Sequence, residues 1–314
     1  MDLEAVKIEN LTKRYGKNEV LKGINLTVSD GQFYCLMGPN GSGKTTLTSI
    51  LASIRDKTSG NISIYGRAPG QARNLIGYMP QENFSSAALT GRENLLYFAG
   101  LMGYSSREAA KISTGLLKQV GLLDDADKMV SKYSGGMRKR LELATVLFEG
   151  IKLLILDEPT TGLDPAARRN FFNLVSNFRK KGITVFLITH IGADAELADM
   201  IGLIDNGKII AQDSPDNLKR NNLQKNTLII ETKIRDERIK MILAVFNRGR
   251  EVTEAENGYK ISSDDIAEDI PPIIRELDSH GFEVIRLESA SATLEDVFFK
   301  LTGHTCKKTT GGNF

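Results

Sequence analysis

The sequence predicts an α/β domain built on a largely parallel sheet, followed by a smaller α+β domain. Three observations predict it. Short apolar runs (FYCLMG, KLLILD, TVFLITH) alternate with helical patterns from residue 1 to about 215, as the strands and crossover helices of a parallel sheet do. Between Asp213 and Asn226 the chain turns polar (DSPDNLKRNNLQKN), a composition that buries little and reads as a linker. Beyond it the order is β-α-β-β-α-β, the ferredoxin-like arrangement. A length of 314 residues suits one large and one small domain, each with its own core. The expected divisions are a first domain at 1–220, a second at 221–303 and a disordered tail at 304–314.

The elements announce themselves in order. The strand FYCLM leads into Gly38–Thr46 and then the apolar-periodic LTSILASI, a strand, a loop and a helix. Thr90 with Glu93 and Ser105 with Glu108 have capping-box spacing and start two further helices. Ser134, Gly135 and Gly136 precede a helix whose apolar stripe is Leu141, Ala144 and Leu147. KLLILD is a strand, and Asp164 with Pro165 offers an N-cap and a pre-set first turn. Phe171, Leu174, Val175 and Phe178 then share one helical face before a stop at Gly182. In the second domain we expect a strand TLIIET, a helix around Ile239 to Phe246, short strands near 251 and 259, a helix from about Pro271 and a strand FEVIRLES. A last helix follows Thr293, with Asp296 as its cap partner and Leu294, Val297, Phe298 and Leu301 on one face.

Composition narrows the function. Lys and Arg number 41 against 39 Asp and Glu, so the chain lacks the basic footprint of a nucleic-acid binder and no nucleic-acid partner is expected. Its two cysteines, Cys35 in an apolar run and Cys306 in the tail, form no disulfide framework and fit a reducing compartment. The N-terminus is acidic without an apolar signal region, and no stretch approaches the roughly 18 apolar residues of a membrane span. The expectation is a cytosolic chain with no membrane anchor of its own.

The chemistry starts at Gly38, Pro39, Asn40, Gly41, Ser42, Gly43, Lys44, Thr45 and Thr46, a G-x-x-x-x-G-K-T loop between strand and helix. Glycines let successive backbone N–H groups turn inward on phosphate, and the helix start adds about half a positive charge. Lys44 brings a full charge to the β- and γ-phosphates, and the Thr45 hydroxyl can ligate Mg²⁺. These residues predict a bound nucleoside triphosphate and a P-loop NTPase fold; that the nucleotide is ATP is implied by the resemblance given below. KLLILDEP ends in adjacent carboxylates that can divide two roles only if the chain turns there, which Pro159 favours. Asp157 is then placed to hold Mg²⁺, and Glu158 to orient or deprotonate the attacking water. Ser134–Gly136 at a helix start is a second anion site, useful if it closes over the γ-phosphate held by another protomer.

In order and spacing these motifs resemble the ATP-binding cassette (ABC) ATPases. GPNGSGKTT resembles the Walker A loop, YSGGM the signature motif that opens a helical region, LLILDEP the Walker B strand, and GLDP, which contains Asp164, the D-loop. Gln81 in YMPQE resembles the Q-loop glutamine, His190 in FLITH the switch histidine, and Tyr15 the aromatic residue that stacks on adenine. His190 by itself reads as a core histidine; the resemblance gives it a catalytic place, and gives Gln81 a catalytic and metal-ligating one. The resemblance covers residues 5 to about 215 and implies an ATPase subunit that forms a head-to-tail homodimer or heterodimer and docks on a separate transmembrane permease. That placement is peripheral, on the inner face of the cell membrane, with the segment from Gln81 to Tyr104 meeting the permease. YSGGM, LTGRENLLYFAGLMG and TLEDVFFKLTG resemble the bacterial drug-exporter branch, whose C-terminal domain is an accessory module. The alternatives are a non-transport ABC ATPase, which usually has paired cassettes or a coiled-coil insertion, and an ATP-dependent regulatory module. A GTPase lacks support because no N-K-x-D element occurs. His280, before Gly281, is expected to cap a helix C-terminus, and His304 with Cys306 makes no metal site.

Overall fold

The computed structural model describes residues 3–222, 226–247, 252–255, 258–263, 266–290 and 293–303. The expected tail at 304–314, with His304 and Cys306, lies outside the described residues. The chain divides into two compact units, one from Met1 to Pro215 and one from Asp216 to Thr305.

The first unit starts with two long strands, β1 (Glu4–Tyr15) and β2 (Asn18–Ser29). On β2 the side chains of Ile24, Leu26 and Val28 are buried and those of Asn25 and Thr27 exposed, the period of a sheet with one face in a core. Next come β3 (Phe33–Met37), α1 (Lys44–Leu51), β4 (Ser59–Ile64) and β5 (Ile76–Met79). The helices α2 (Gly91–Leu101) and α3 (Ser106–Gln119) both open with the capping boxes read from the sequence, at Thr90 and Ser105. Then follow α4 (Gly135–Ala144), β6 (Leu153–Asp157), α5 (Pro165–Arg179) and β7 (Thr184–Thr189). The short α6 (Gly192–Ala195) and the hairpin of β8 (Met200–Asp205) and β9 (Lys208–Asp213) close the unit.

The six-stranded sheet has the order β5-β6-β7-β3-β8-β9, parallel except for β9. β3, β6 and β7 are buried at every residue, as strands covered on both faces must be. A second, antiparallel sheet, β2-β1-β4, lies over it. One apolar core joins the two: Ile8, Ile24 and Ile64 from the antiparallel sheet, Leu47 and Leu51 from α1, and Leu36, Ile155 and Ile188 from the parallel sheet. The helix after the phosphate loop is thereby fixed along its apolar face. Phe171, Val175 and Phe178 are buried on α5 as expected, but Phe172 completes that face while Leu174 is half-buried.

The second unit contains α7 (Pro215–Asn222), β10 (Asn226–Thr232), α8 (Glu237–Phe246), β11 (Thr253–Ala255) and β12 (Gly258–Ser263). It ends with α9 (Ile266–Ser279), β13 (Val284–Ala290) and α10 (Leu294–Thr302). Its antiparallel sheet runs β11-β12-β10-β13, the ferredoxin-like order, over a core with Leu228, Ile230, Ile239, Leu243, Ile273 and Leu277. Three readings are corrected here. Part of the expected linker is α7: Pro215 presets its first turn, Asp216 and then Lys219 with Arg220 match its dipole, and Leu218 is buried. The helix expected from Pro271 begins at Ile266 and carries Pro271 and Pro272 inside it. Burial of Ile273 and Leu277 and the partial burial of Ile270 work against a cost of about 3 kcal/mol for each proline. On α10, Leu294, Val297 and Phe298 are buried but Leu301 is exposed. His280 does meet the end of α9, its Nδ1 lying 2.9 Å from the Glu276 carbonyl oxygen.

Candidate functional site

Four of the parallel strands end at one edge of the sheet, and each leads into a predicted site segment. β3 runs into the phosphate loop, β5 into Gln81, β6 into Glu158 and β7 into His190. Ligands of open parallel sheets bind at this carboxyl edge.

Gly38 is required by close approach, since a Cβ there would lie 2.1 Å from the Ile204 carbonyl oxygen. Gly43 caps α1 with φ 103°, a left-handed conformation that turns the loop into the helix. The Lys44 ammonium is 5% exposed and donates to the carbonyls of Gly38 and Pro39, both at 2.8 Å. It also lies 3.8 Å from Glu158 Oε1. Ser42 Oγ is buried without a hydrogen-bond partner, a polar atom held inside the loop. Around the loop is a cleft of about 330 Å³ bordered by Asn40, Gly41, Gly43, Lys44, Thr45, Thr46, Gln81 and Glu158.

The turn expected after Asp157 is made by Glu158 itself. Its φ is +47°, left-handed for a non-glycine residue, which costs roughly 1–2 kcal/mol, and its N–H donates to the Ile188 carbonyl at 2.9 Å. The two carboxylates therefore part company. Asp157 is fully buried and accepts from Thr45 Oγ1 at 3.5 Å and Thr48 Oγ1 at 3.2 Å. Burial pushes its carboxyl above the ordinary range, against the pull of the two hydroxyls. Burial also raises the Glu158 carboxyl, but His190 and then Lys44 outweigh it and hold it below the usual value. Glu158 Oε2 accepts from Gln81 Nε2 at 3.2 Å and Thr161 Oγ1 at 3.4 Å. His190 Nδ1 is 3.1 Å from the same oxygen, close enough for an ion pair but without hydrogen-bond alignment.

The remaining predicted residues lie elsewhere in this unit. Ser134 N-caps α4 by accepting from Met137 N at 3.2 Å, and Gly136 has Ala167 of α5 where its Cβ would be. Gly135 borders a separate cleft of about 540 Å³ with Gln81, Arg138, Lys139 and Gly162. Gln81 thus borders both clefts. Asp164 caps α5 by accepting from Ala166 N and Ala167 N, each at 2.9 Å. Tyr15 ends β1, 40% exposed, with Arg55 donating to its hydroxyl at 3.0 Å and Lys13 Nζ 4.9 Å from its ring centre. It does not border the phosphate-loop cleft.

Sequence reasoning passed over Thr48, Thr161 and Asp194. Thr48 is one helical turn after Thr45, so the helix period could have found it. Asp194 is almost fully buried and accepts from Thr160 Oγ1 at 2.5 Å, an association of residues far apart in sequence that no local pattern marks.

Comparison with known proteins gives the family. The family described as ABC transporter matches residues 21–161, and the C-terminal domain of DrrA1-3-like ATP-binding proteins matches 214–302. The chain is 36% identical to the daunorubicin resistance ATP-binding protein DrrA2 of Streptomyces coeruleorubidus, over 98% of each chain. It is 31% identical to the linearmycin resistance ATP-binding protein LnrL of Bacillus subtilis, over 96% of this chain and 99% of the relative. With the Nod factor export ATP-binding protein I of Burkholderia orbicola the identity is 34%, over 96% and 98%. Among solved structures, cbiO1 of Clostridium perfringens, part of the ABC transporter complex cbiONQ, superposes with a TM-score of 0.64 at 29% identity, covering 71% of this chain and 96% of its own. The dimeric post-hydrolysis cassette MJ0796 with ADP and Pi gives 0.60 at 26%, covering 67% and 98%. ATPase subunits of this kind dimerise and act with a membrane subunit. Among the described residues no helix is long and apolar enough to cross a membrane. On these matches the chain belongs to the ABC transporter family as an ATP-binding subunit that hydrolyses ATP.

Proposed function

We propose that the chain powers an exporter, with ATP-driven dimerisation of two cassettes moving a separate transmembrane permease. One observation carries the reading: the phosphate loop has its own lysine and carboxylates, while a second anion-binding helix start at Ser134 opens on a different cleft. A lone cassette has no use for both. In a two-fold dimer the Ser134–Gly136 end of one protomer covers the γ-phosphate held by its partner, and Asp164 lies at the same seam. Export is supported by the names of the drug-resistance and Nod factor relatives. The permease would hold the chain at the cytoplasmic face of the membrane, through the segment from Gln81 to Tyr104. The ATPase domain ends near residue 220, and the remainder to 303 is an accessory module.

Each residue has a role in this reading. Lys44 and the Gly38–Thr46 backbone bind the phosphates, and Tyr15 stacks on the base once it is released from Arg55. Glu158 takes the proton of the attacking water, its carboxyl ionised at neutral pH and held so by His190 and Lys44. His190 and Gln81 fix its Oε2. Thr45, Asp157 and Gln81 offer a hydroxyl, a carboxylate and an amide, the hard oxygen donors Mg²⁺ prefers, and the under-compensated charge of buried Asp157 suits a cation. When bound there, Mg²⁺ would neutralise charge on the phosphates.

The test is Glu158→Gln in the full chain. Phosphate release should fall on the order of 10²- to 10⁴-fold while ATP still binds, and ATP should convert the variant from monomer to dimer in light scattering. Turnover at the wild-type rate, or no dimer at saturating ATP, would refute the reading.

A further inference from the structure

Glu142 is a fully buried carboxylate that the mechanism above does not use. It sits on α4, two helical turns beyond the Ser134 cap, and its partners belong to the segment that follows Gln81. Glu142 Oε1 accepts from Phe84 N at 3.2 Å, Ser85 N at 3.4 Å and Ser85 Oγ at 2.9 Å. Oε2 accepts from Lys139 Nζ at 3.2 Å, and the same ammonium donates to the Gln81 carbonyl at 3.3 Å. Arg138, one turn before Glu142, donates to Ser85 Oγ at 2.9 Å and to the Ser85 carbonyl at 2.7 Å. Helical spacing puts these three side chains on one face, and together they hold the backbone of 81–85 against α4.

A buried carboxylate is costly unless it is fully paired, so such a group is retained where a fixed geometry matters or where packing demands it. The surroundings favour the first. The clamped segment starts at Gln81, whose amide touches Glu158, and it leads through the edge-to-face contact of Phe84 with Phe98, at 5.7 Å, into α2. We infer that Glu142 is a positioning residue that ties the signature helix to the Gln81 segment, so that movement of the Ser134 end alters the reach of Gln81 to Glu158. The inference rests on the proposed roles of Glu158 and the signature.

The test is a double-mutant cycle in the full chain, comparing Glu142→Ala, Gln81→Ala and the double variant by steady-state phosphate release. Glu142→Ala should lower kcat about tenfold, the scale of one lost charged contact, with KM unchanged. Glu142→Gln, which keeps an acceptor oxygen, should recover part of the loss. The double variant should be no slower than Gln81→Ala alone, because both act on one contact. Multiplied losses in the double variant, a wild-type kcat in Glu142→Ala, or a loss in KM rather than kcat would each overturn the inference. Should Glu142→Ala not fold, the cycle between Glu142→Gln and Gln81→Ala decides by the same criterion. Glu158→Gln separates the two claims: wild-type turnover there would remove the underlying reading. Its inactivity beside multiplied losses removes only the role of Glu142.

Discussion

At the scale of residues, the candidate site was legible because each group sits in a short motif on a single strand end. Lys44, Asp157, Glu158 and His190 could be named from the sequence, and the fold brings them to one edge of the sheet. What the sequence could not supply is the set of partners that each of the adjacent carboxylates meets. That follows from the left-handed turn at Glu158, which sends Asp157 to the threonine hydroxyls and Glu158 toward Lys44 and His190. Asp194 and Glu142 stayed hidden because Thr160, which bonds the first, and Phe84 with Ser85, which bond the second, are distant in sequence. Lys44 stabilises the loop through two carbonyls; in the proposed reading it also faces the phosphates, so Lys44→Ala should weaken ATP binding before it affects folding. Equilibrium titration with a fluorescent ATP analogue checks this, and wild-type affinity would speak against the phosphate-loop role.

At the scale of elements, helix starts were legible wherever a cap is a local hydrogen-bonding event. The Thr90 box is an example: Thr90 Oγ1 accepts from Glu93 N at 3.2 Å, and Thr90 N donates to Glu93 Oε2 at 2.8 Å. Thr90→Ala should cost about 1 kcal/mol, lowering Tm by roughly 2–4 °C in calorimetry, with turnover retained. A variant as stable as the wild type would mean that packing of α2 alone sets its start. The misread elements failed for a tertiary reason. α7 hides in a polar stretch because burying one leucine suffices for it, and α9 runs through two prolines because its apolar face belongs to a core that local propensity does not see.

At the scale of the molecule, the proposed nucleotide-site residues all precede Pro215, the end of the first compact unit. Ending the chain before residue 225 should therefore leave ATP affinity intact, as isothermal titration would report; loss of affinity in a folded truncation would contradict the proposed division. The central claim concerns two chains rather than one. If each site takes its phosphate loop from one protomer and its signature from the other, Lys44→Ala and Ser134→Arg are each inactive alone, yet their mixed dimer keeps one intact site. An equal mixture pairing at random should recover about a quarter of wild-type sites, counted as trapped ATP beside released phosphate. A mixture that dimerises yet traps no ATP and turns over no faster than either variant alone would contradict the head-to-tail site.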